Sequence, residues 1–350
     1  MKKLLAAVLT FAMCLSLAAC GNQSSPSQAS SSVKSDGTAQ STFEKMTIKV
    51  SYSTGDNGLD GIACAKLKEL VAERTDGAVT IEGYGNAQLA GGDMDRMVEL
   101  LIQGGAYDMC ILSEAVMESI NPEFYILESP FVFKSYEDAY ERIDSEEGQQ
   151  WLKDEFNETG LTYLASLGNG ILQMTNSKHP VYEPADLADL RFRVYGDNDM
   201  RLIKALGGDA FVMSFSELYS ALQQKTVDGQ INGLATIASA NLQEVQSYCT
   251  IMNMSLSTFH IVCNTNAWDG YSEELRQVLE ECAKEAAQYA REELSSQEAG
   301  LRSEFETQGM TFCDLTDEQL NAFKELARPV TEENLAGMDE KTLQVWGLDS

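Results

Sequence analysis

Leu190-Arg191-Phe192-Arg193-Val194-Tyr195 opens a run that ends in Val227-Asp228-Gly229-Gln230-Ile231-Asn232, and the succession of patterns between them organises the chain. Residues 190–195 read as a strand, 199–206 as a helix, 209–213 as a strand, 215–224 as a helix and 229–233 as a strand. The same order occurs nearer the amino terminus. Residues 47–52 alternate as a half-buried strand, 61–74 repeat apolar residues at helical spacing, and 79–84 form a second strand. A helix over 93–103, with Met94, Met97, Val98 and Leu101 inward, and a strand over 107–112 complete that block. Alternating strands and helices imply a parallel α/β sheet, and two such blocks imply two lobes. Ligands in open α/β sheets bind beyond the carboxyl ends of the strands, which in a two-lobed chain is the cleft. Arg193 and Asn232 then sit on strands whose ends line that cleft.

An arginine there has a specific chemistry. Its planar guanidinium offers two parallel N–H donors that match the two oxygens of a carboxylate. An Arg-x-Arg pair taken alone is also what a solvated edge strand carries. The rest of the chain sharpens the choice: 54 acidic side chains face 25 basic ones, for a net charge of −29. Such a field excludes nucleic acid and anionic lipid surfaces as partners, and only a local, desolvated arginine overcomes it for an anionic ligand.

The amino terminus predicts export. Lys2-Lys3 precede an apolar run over 4–15, and Leu17-Ala18-Ala19-Cys20 closes it with small residues. The run is too short for a membrane span, and the closing residues resemble a lipobox, which makes 1–19 a lipoprotein signal peptide and Cys20 the acylated residue of the mature chain. Residues 20–43 are rich in Ser and Gln with almost no apolar residue, and read as a flexible tether. Besides Cys14 and Cys20, Cys64, Cys110, Cys249, Cys263, Cys282 and Cys313 remain, with no C-x-x-C pair. Buried thiols are favoured over disulfides, and no metal site or cofactor is expected. From Ser272 to Thr307 apolar residues recur every three or four positions with no proline and no glycine before Gly300. The pattern reads as one helix of about 50 Å bridging both lobes, or as two helices broken near Gly300.

Several segments, in order, resemble one family: Gln88-Leu89-Ala90-Gly91-Gly92-Asp93, Gly105-Ala106-Tyr107-Asp108-Met109, Pro130-Phe131-Val132-Phe133, the PADLADLRFRV run over 184–194, Met213-Ser214-Phe215-Ser216-Glu217-Leu218-Tyr219 and Val227-Asp228-Gly229-Gln230. Together, over about 46–310, they are similar to the DctP-type solute-binding proteins of tripartite ATP-independent periplasmic (TRAP) transporters. The resemblance implies an α/β, two-lobed periplasmic-binding-protein fold, type II-like, with a long helix spanning both lobes. It assigns 44–169 and 258–300 to the first lobe and 170–257 and 301–350 to the second. The implied function is capture of a small organic acid and its delivery to the small and large subunits of an ion-gradient-driven permease, outside the cytoplasm, by a lipid-anchored monomer.

Residue by residue, the resemblance makes Arg193 the partner of the ligand carboxylate, Asn232 a second contact, and Phe215 an aromatic packed on the ligand or a plain core residue. Asn57, Asp93 and Ser113 fall on contact positions of the first lobe. Where family members carry a further arginine, this chain has Leu172. That favours a sugar acid, a uronate or aldonate, over a C4-dicarboxylate, unless Gln173, Lys178 or Arg191 supplies the missing contact. A binding protein serving another importer or a sensor remains the alternative. An exported hydrolase would need a base, and His179 and His260 both stand in settings where histidine is structural; there is no G-x-S-x-G, H-E-x-x-H or P-loop.

Overall fold

The computed structural model describes residues 43–133 and 135–348. The expected signal peptide over 1–19, the lipid-bearing Cys20 and all but the last residue of the tether lie outside them. Residues 41–350 form one compact unit built on two sheets. Its strands are β1 (Met46–Tyr52), β2 (Val79–Tyr84), β3 (Met109–Ser113), β4 (Leu161–Ile171), β5 (Gln173–Asn176), β6 (Arg191–Val194), β7 (Asp209–Val212), β8 (Gly229–Asn232), β9 (Tyr248–Ile251), β10 (Leu256–Asn264) and β11 (Thr311–Asp314). The first sheet runs β2-β1-β3-β10-β4 and the second β11-β9-β5-β8-β6-β7.

Each expected block forms a parallel set, β2-β1-β3 in the first sheet and β8-β6-β7 in the second. The sheets themselves are mixed, which corrects the expectation of parallel sheets. β10 lies antiparallel between β3 and β4, and β5 lies antiparallel between β8 and β9. The cause is connectivity: β4 continues into β5 and β9 into β10, so two of the chain's three passages between the sheets run directly from strand to strand. The crossings are tied together, with Leu172 N–H donating to Ser255 O at 2.8 Å and Met254 N–H to Leu172 O at 3.2 Å.

Glu273–Thr307 is a single helix of 35 residues, so Gly300 does not break it. Ser272 caps it by accepting from Leu275 N–H at 3.2 Å. Its buried stripe, Leu275, Leu279, Cys282, Ala286, Ala290, Leu294, Leu301 and Phe305, keeps helical spacing past the glycine. The helix packs on Leu59–Arg74, on Leu234–Ser239 and on strands of both sheets, β4 and β11.

One assignment differs. The chain's end, expected with the second lobe, returns to the first after the helix Asp317–Leu335. Trp346 is fully buried with its ring 5.2 Å from that of Trp151, and Trp151 Nε1–H donates to Thr342 Oγ1 at 2.9 Å. Two indoles sharing one apolar pocket outweigh continuity along the chain. The six described cysteines are buried and free.

Candidate ligand-binding cavity

β6 delivers the cation. Its alternation sends Phe192 into the second lobe's core, while Arg191 and Arg193 share the other face. Arg191, at the exposed start of the strand, pairs with Asp228, Nε to Oδ2 at 3.0 Å and an η-nitrogen to Oδ1 at 3.1 Å. Arg193, two residues on, is 5% exposed at the wall of a cavity of about 650 Å³ free of protein atoms. Its Nε–H donates to Met213 O at 2.9 Å, but one of its terminal nitrogens is buried with no hydrogen-bond partner among the described residues. Burial pushes its pKa down to about 10 while Asp199, Tyr195 and Glu128 oppose the fall, so it stays cationic at neutral pH. The guanidinium carbon lies 5.8 Å from the Phe215 ring centre and 5.9 Å from that of Tyr195.

The Val227–Asn232 turn works as a mount. Asp228 anchors Arg191, and Gly229 passes so close to Thr175 O that an added Cβ would lie 2.4 Å from it. Gln230 donates to Thr175 Oγ1 at 2.8 Å, and Asn232 donates its side-chain amide to Gln230 Oε1. This fixes Asn232 at the end of β8, where it lines the cavity. Phe215, the first residue of the helix Phe215–Gln223, and Ser113, the last of β3, line the same cavity, so four of the six expected contact residues converge. The structure does not bring the other two there. Asn57 is exposed on the turn before the helix Leu59–Arg74, and the carboxylate of Asp93 accepts Arg96 N–H at 3.0 Å as a helix cap. Their sequence neighbours Thr54 and Met94 face the cavity instead.

Leu172 does line the cavity, and none of the three residues that could replace a second cation reaches it. Gln173 is spent on the crossing, donating to Asn253 Oδ1 at 2.7 Å and accepting from Met252 N–H at 2.9 Å. Lys178 and Arg191 both hold Asp228 at 3.0 Å. Arg193 is thus the one cationic side chain in the cavity wall among the described residues. The rest of the wall is neutral or acidic. Ser53 contributes a buried hydroxyl with no partner, and Asn169 bridges Ser257 at 3.1 Å and Thr236 at 2.8 Å. Glu128 and Asp199 line it too, both with pKa values raised, first by burial. Ser53, Asn169, Glu128 and Asp199 carry no sequence pattern that marks them; only the fold gathers them.

The remaining histidines are structural. His260, fully buried in β10, makes a 2.8 Å hydrogen bond with Ser166 Oγ. Its Nε2 stands 3.9 Å from Glu114, yet burial pushes its pKa down to about 3, so the imidazole is uncharged and no ion pair forms at neutral pH. His179 hydrogen-bonds Pro180 O within a turn. Among the described residues no group of His, Cys, Asp and Glu could hold a metal ion.

A buried, under-satisfied guanidinium in a cleft between two sheets is a device for holding an anion. The C4-dicarboxylate-binding periplasmic protein DctP of Rhodobacter capsulatus is 29% identical over 303 residues, 86% of this chain and 90% of that protein. The sugar acid binding protein DctPAm of Advenella mimigardefordensis, solved with galactonate, superposes with a TM-score of 0.82 at 27% identity, covering 87% of this chain and 98% of the other. A TRAP periplasmic solute-binding protein of Polaromonas sp. JS666, bound to D-erythronate, gives 0.80 at 26% identity, covering 87% and 100%. The family model for bacterial extracellular solute-binding proteins, family 7, matches residues 50–337. With that match across both sheets and the cavity between them, this chain belongs to the DctP family of TRAP solute-binding proteins, and it is a binding protein rather than an enzyme.

Proposed function

We propose that the protein captures a small organic acid outside the cytoplasm, with the carboxylate on Arg193, and hands it to a TRAP permease in the membrane. The observation that carries this reading is the unpartnered terminal nitrogen of Arg193 at the cavity wall. Leaving a charged donor buried and unpaired is costly, and an incoming carboxylate removes that cost with a charge-assisted hydrogen bond. Asn232, Phe215 and Ser113 complete the contacts around it. The preferred ligand is a sugar acid with one carboxylate rather than a C4-dicarboxylate, because Leu172 lines the wall and Gln173, Lys178 and Arg191 are engaged elsewhere. The hydroxyl of Ser53 and the amide of Asn169 suit a polyhydroxylated body. Anchoring through lipid on Cys20, with 20–43 as tether, would keep the protein beside its permease.

A thermal-shift screen of the purified protein against aldonates, uronates, dicarboxylates and neutral sugars tests the reading, since a ligand stabilises in proportion to the logarithm of its excess over its dissociation constant. An aldonate or uronate should give the largest shift. Arg193→Ala should weaken its binding about a hundredfold, roughly 3 kcal/mol, by leaving a buried carboxylate unpaired, without lowering the melting temperature of the free protein. Stabilisation by neutral sugars alone would refute the carboxylate assignment.

A further inference from the structure

Pairing with Arg193 leaves one group in the cavity wall unused. Glu128 ends the short helix Tyr125–Glu128, is 8% exposed, and lines the same cavity as Arg193. Burial and charge act on its carboxyl, with no hydrogen bond to it among the described residues. Three further carboxyls face it: Asp199 from the helix Asp197–Leu206, Glu114 from the helix Glu114–Met117, and Glu118 just beyond that helix. Arg193 on β6 is the cation that acts on it.

The three neighbours each have donors. Asp199 accepts Tyr195 N–H at 3.4 Å, and Glu118 accepts from Asn198 at 2.7 Å. Glu114 accepts Thr258 N–H at 2.9 Å and Thr258 Oγ1–H at 2.8 Å. Glu128 has none. An ionised carboxylate in that position would face other carboxyls with no hydrogen-bond donor among the described residues, whereas a protonated one needs only an acceptor in the cavity. A bound acid brings acceptor oxygens, and its negative charge further favours the protonated form.

We infer that Glu128 is a second recognition group of this cavity: it holds a proton and donates it in an O–H···O hydrogen bond to an oxygen of the acid that Arg193 binds, so that anion and proton are captured together. The inference rests on the organic-acid reading above. No covalent bond changes; the proton stays on Glu128, drawn from solvent by whatever fraction of the free protein lacks it. Because the bound state holds that proton more tightly than the free state, affinity is full where the free protein is already protonated and falls as pH rises past that point.

Titration calorimetry of the full chain with D-galactonate, D-erythronate and succinate, each in buffers of different ionisation heat, provides the test. The tightest of these should bind at least tenfold more weakly at about pH 9 than at about pH 6, with proton uptake on binding. Glu128→Gln should bind it with one affinity across that range and no uptake. A pH-independent wild type without uptake overturns the inference and requires no variant to fold. A slope that survives in a folded Glu128→Gln protein overturns it equally. If none of the three acids binds, or Arg193→Ala binds them as the wild type does, the organic-acid reading fails and this inference falls with it.

Discussion

At position 172 the chemistry of the cavity turns on one side chain. Leu172 is 5% exposed and lines the wall, while its backbone ties the two direct inter-sheet crossings together. Leu172→Arg adds a second guanidinium to a wall that holds Arg193, Glu128 and Asp199, and should raise affinity for succinate relative to an aldonate by tenfold or more, about 1.4 kcal/mol. Competition calorimetry with the two acids reads the ratio directly, and an unchanged ratio would remove Leu172 from the account of specificity. Arg193 and Asn232 were legible because strand position and side-chain chemistry coincide in RFRV and VDGQIN. Ser53, Glu128 and Asp199 were not, since a serine or carboxylate in an acidic chain carries no local mark, and their convergence depends on which strand ends the fold brings together. Asn57 and Asp93 stand three residues and one residue from Thr54 and Met94, which line the cavity. Turn geometry and helix capping, which decide which of two neighbours faces inward, leave little trace in spacing.

Among the elements, two glycines of opposite character make a paired prediction. Gly300 lies exposed inside the helix Glu273–Thr307, and a Cβ there would meet nothing within 4 Å. Gly300→Ala should stabilise the protein by up to about 1 kcal/mol, because glycine loses more backbone freedom in a helix than alanine. Gly233, at the end of β8, touches Gly170 across the crossing, and an added Cβ would lie 2.8 Å from the Gly170 Cα. Gly170 itself holds φ +121°. Gly233→Ala must move backbone, and should cost about 1–3 kcal/mol and disturb the adjoining Asn232. Thermal melts distinguish the two; equal shifts would mean that neither packing nor backbone freedom has been placed correctly. Helical and βαβ periodicity made the two parallel sets and the long helix readable. β10 was not placed, because all nine of its residues are buried and a strand covered on both faces shows no alternation. Phe259-His260-Ile261-Val262 reads as strand-like, but its polar neighbours are explained only where Glu114 and Ser166 hydrogen-bond Thr258 and His260.

For the molecule as a whole, the buried titratable groups set how stability follows pH. Burial, outweighing hydrogen bonds from Thr54 and Gly61, pushes Asp60 up to about 6, and burial likewise pushes Glu114 up to about 7. Burial also raises Glu118, Glu128 and Asp199. A carboxyl whose folded pKa lies above its unfolded value of about 4 contributes stability that is full below about pH 4 and is lost as pH rises through the folded value. His260 works the other way. Its folded pKa of about 3 lies below the unfolded value, so its contribution is full above about pH 6.5 and is lost as pH falls. Above about pH 6.5 the histidine no longer acts and the carboxyls are unopposed, so the melting temperature of the free protein should fall between about pH 6.5 and 8. Between about pH 4 and 6.5 five carboxyls gain against one histidine, which puts the maximum on the acid side of neutrality. The net charge of −29 also penalises the folded state at higher pH, but repulsion between exposed charges is screened by salt and buried carboxyls are not. The fall should therefore persist at about 0.5 M salt and shrink in Glu114→Gln, whereas a melting temperature that stays flat from pH 6.5 to 8 at that salt would mean that the buried carboxyls cost the fold nothing on ionising.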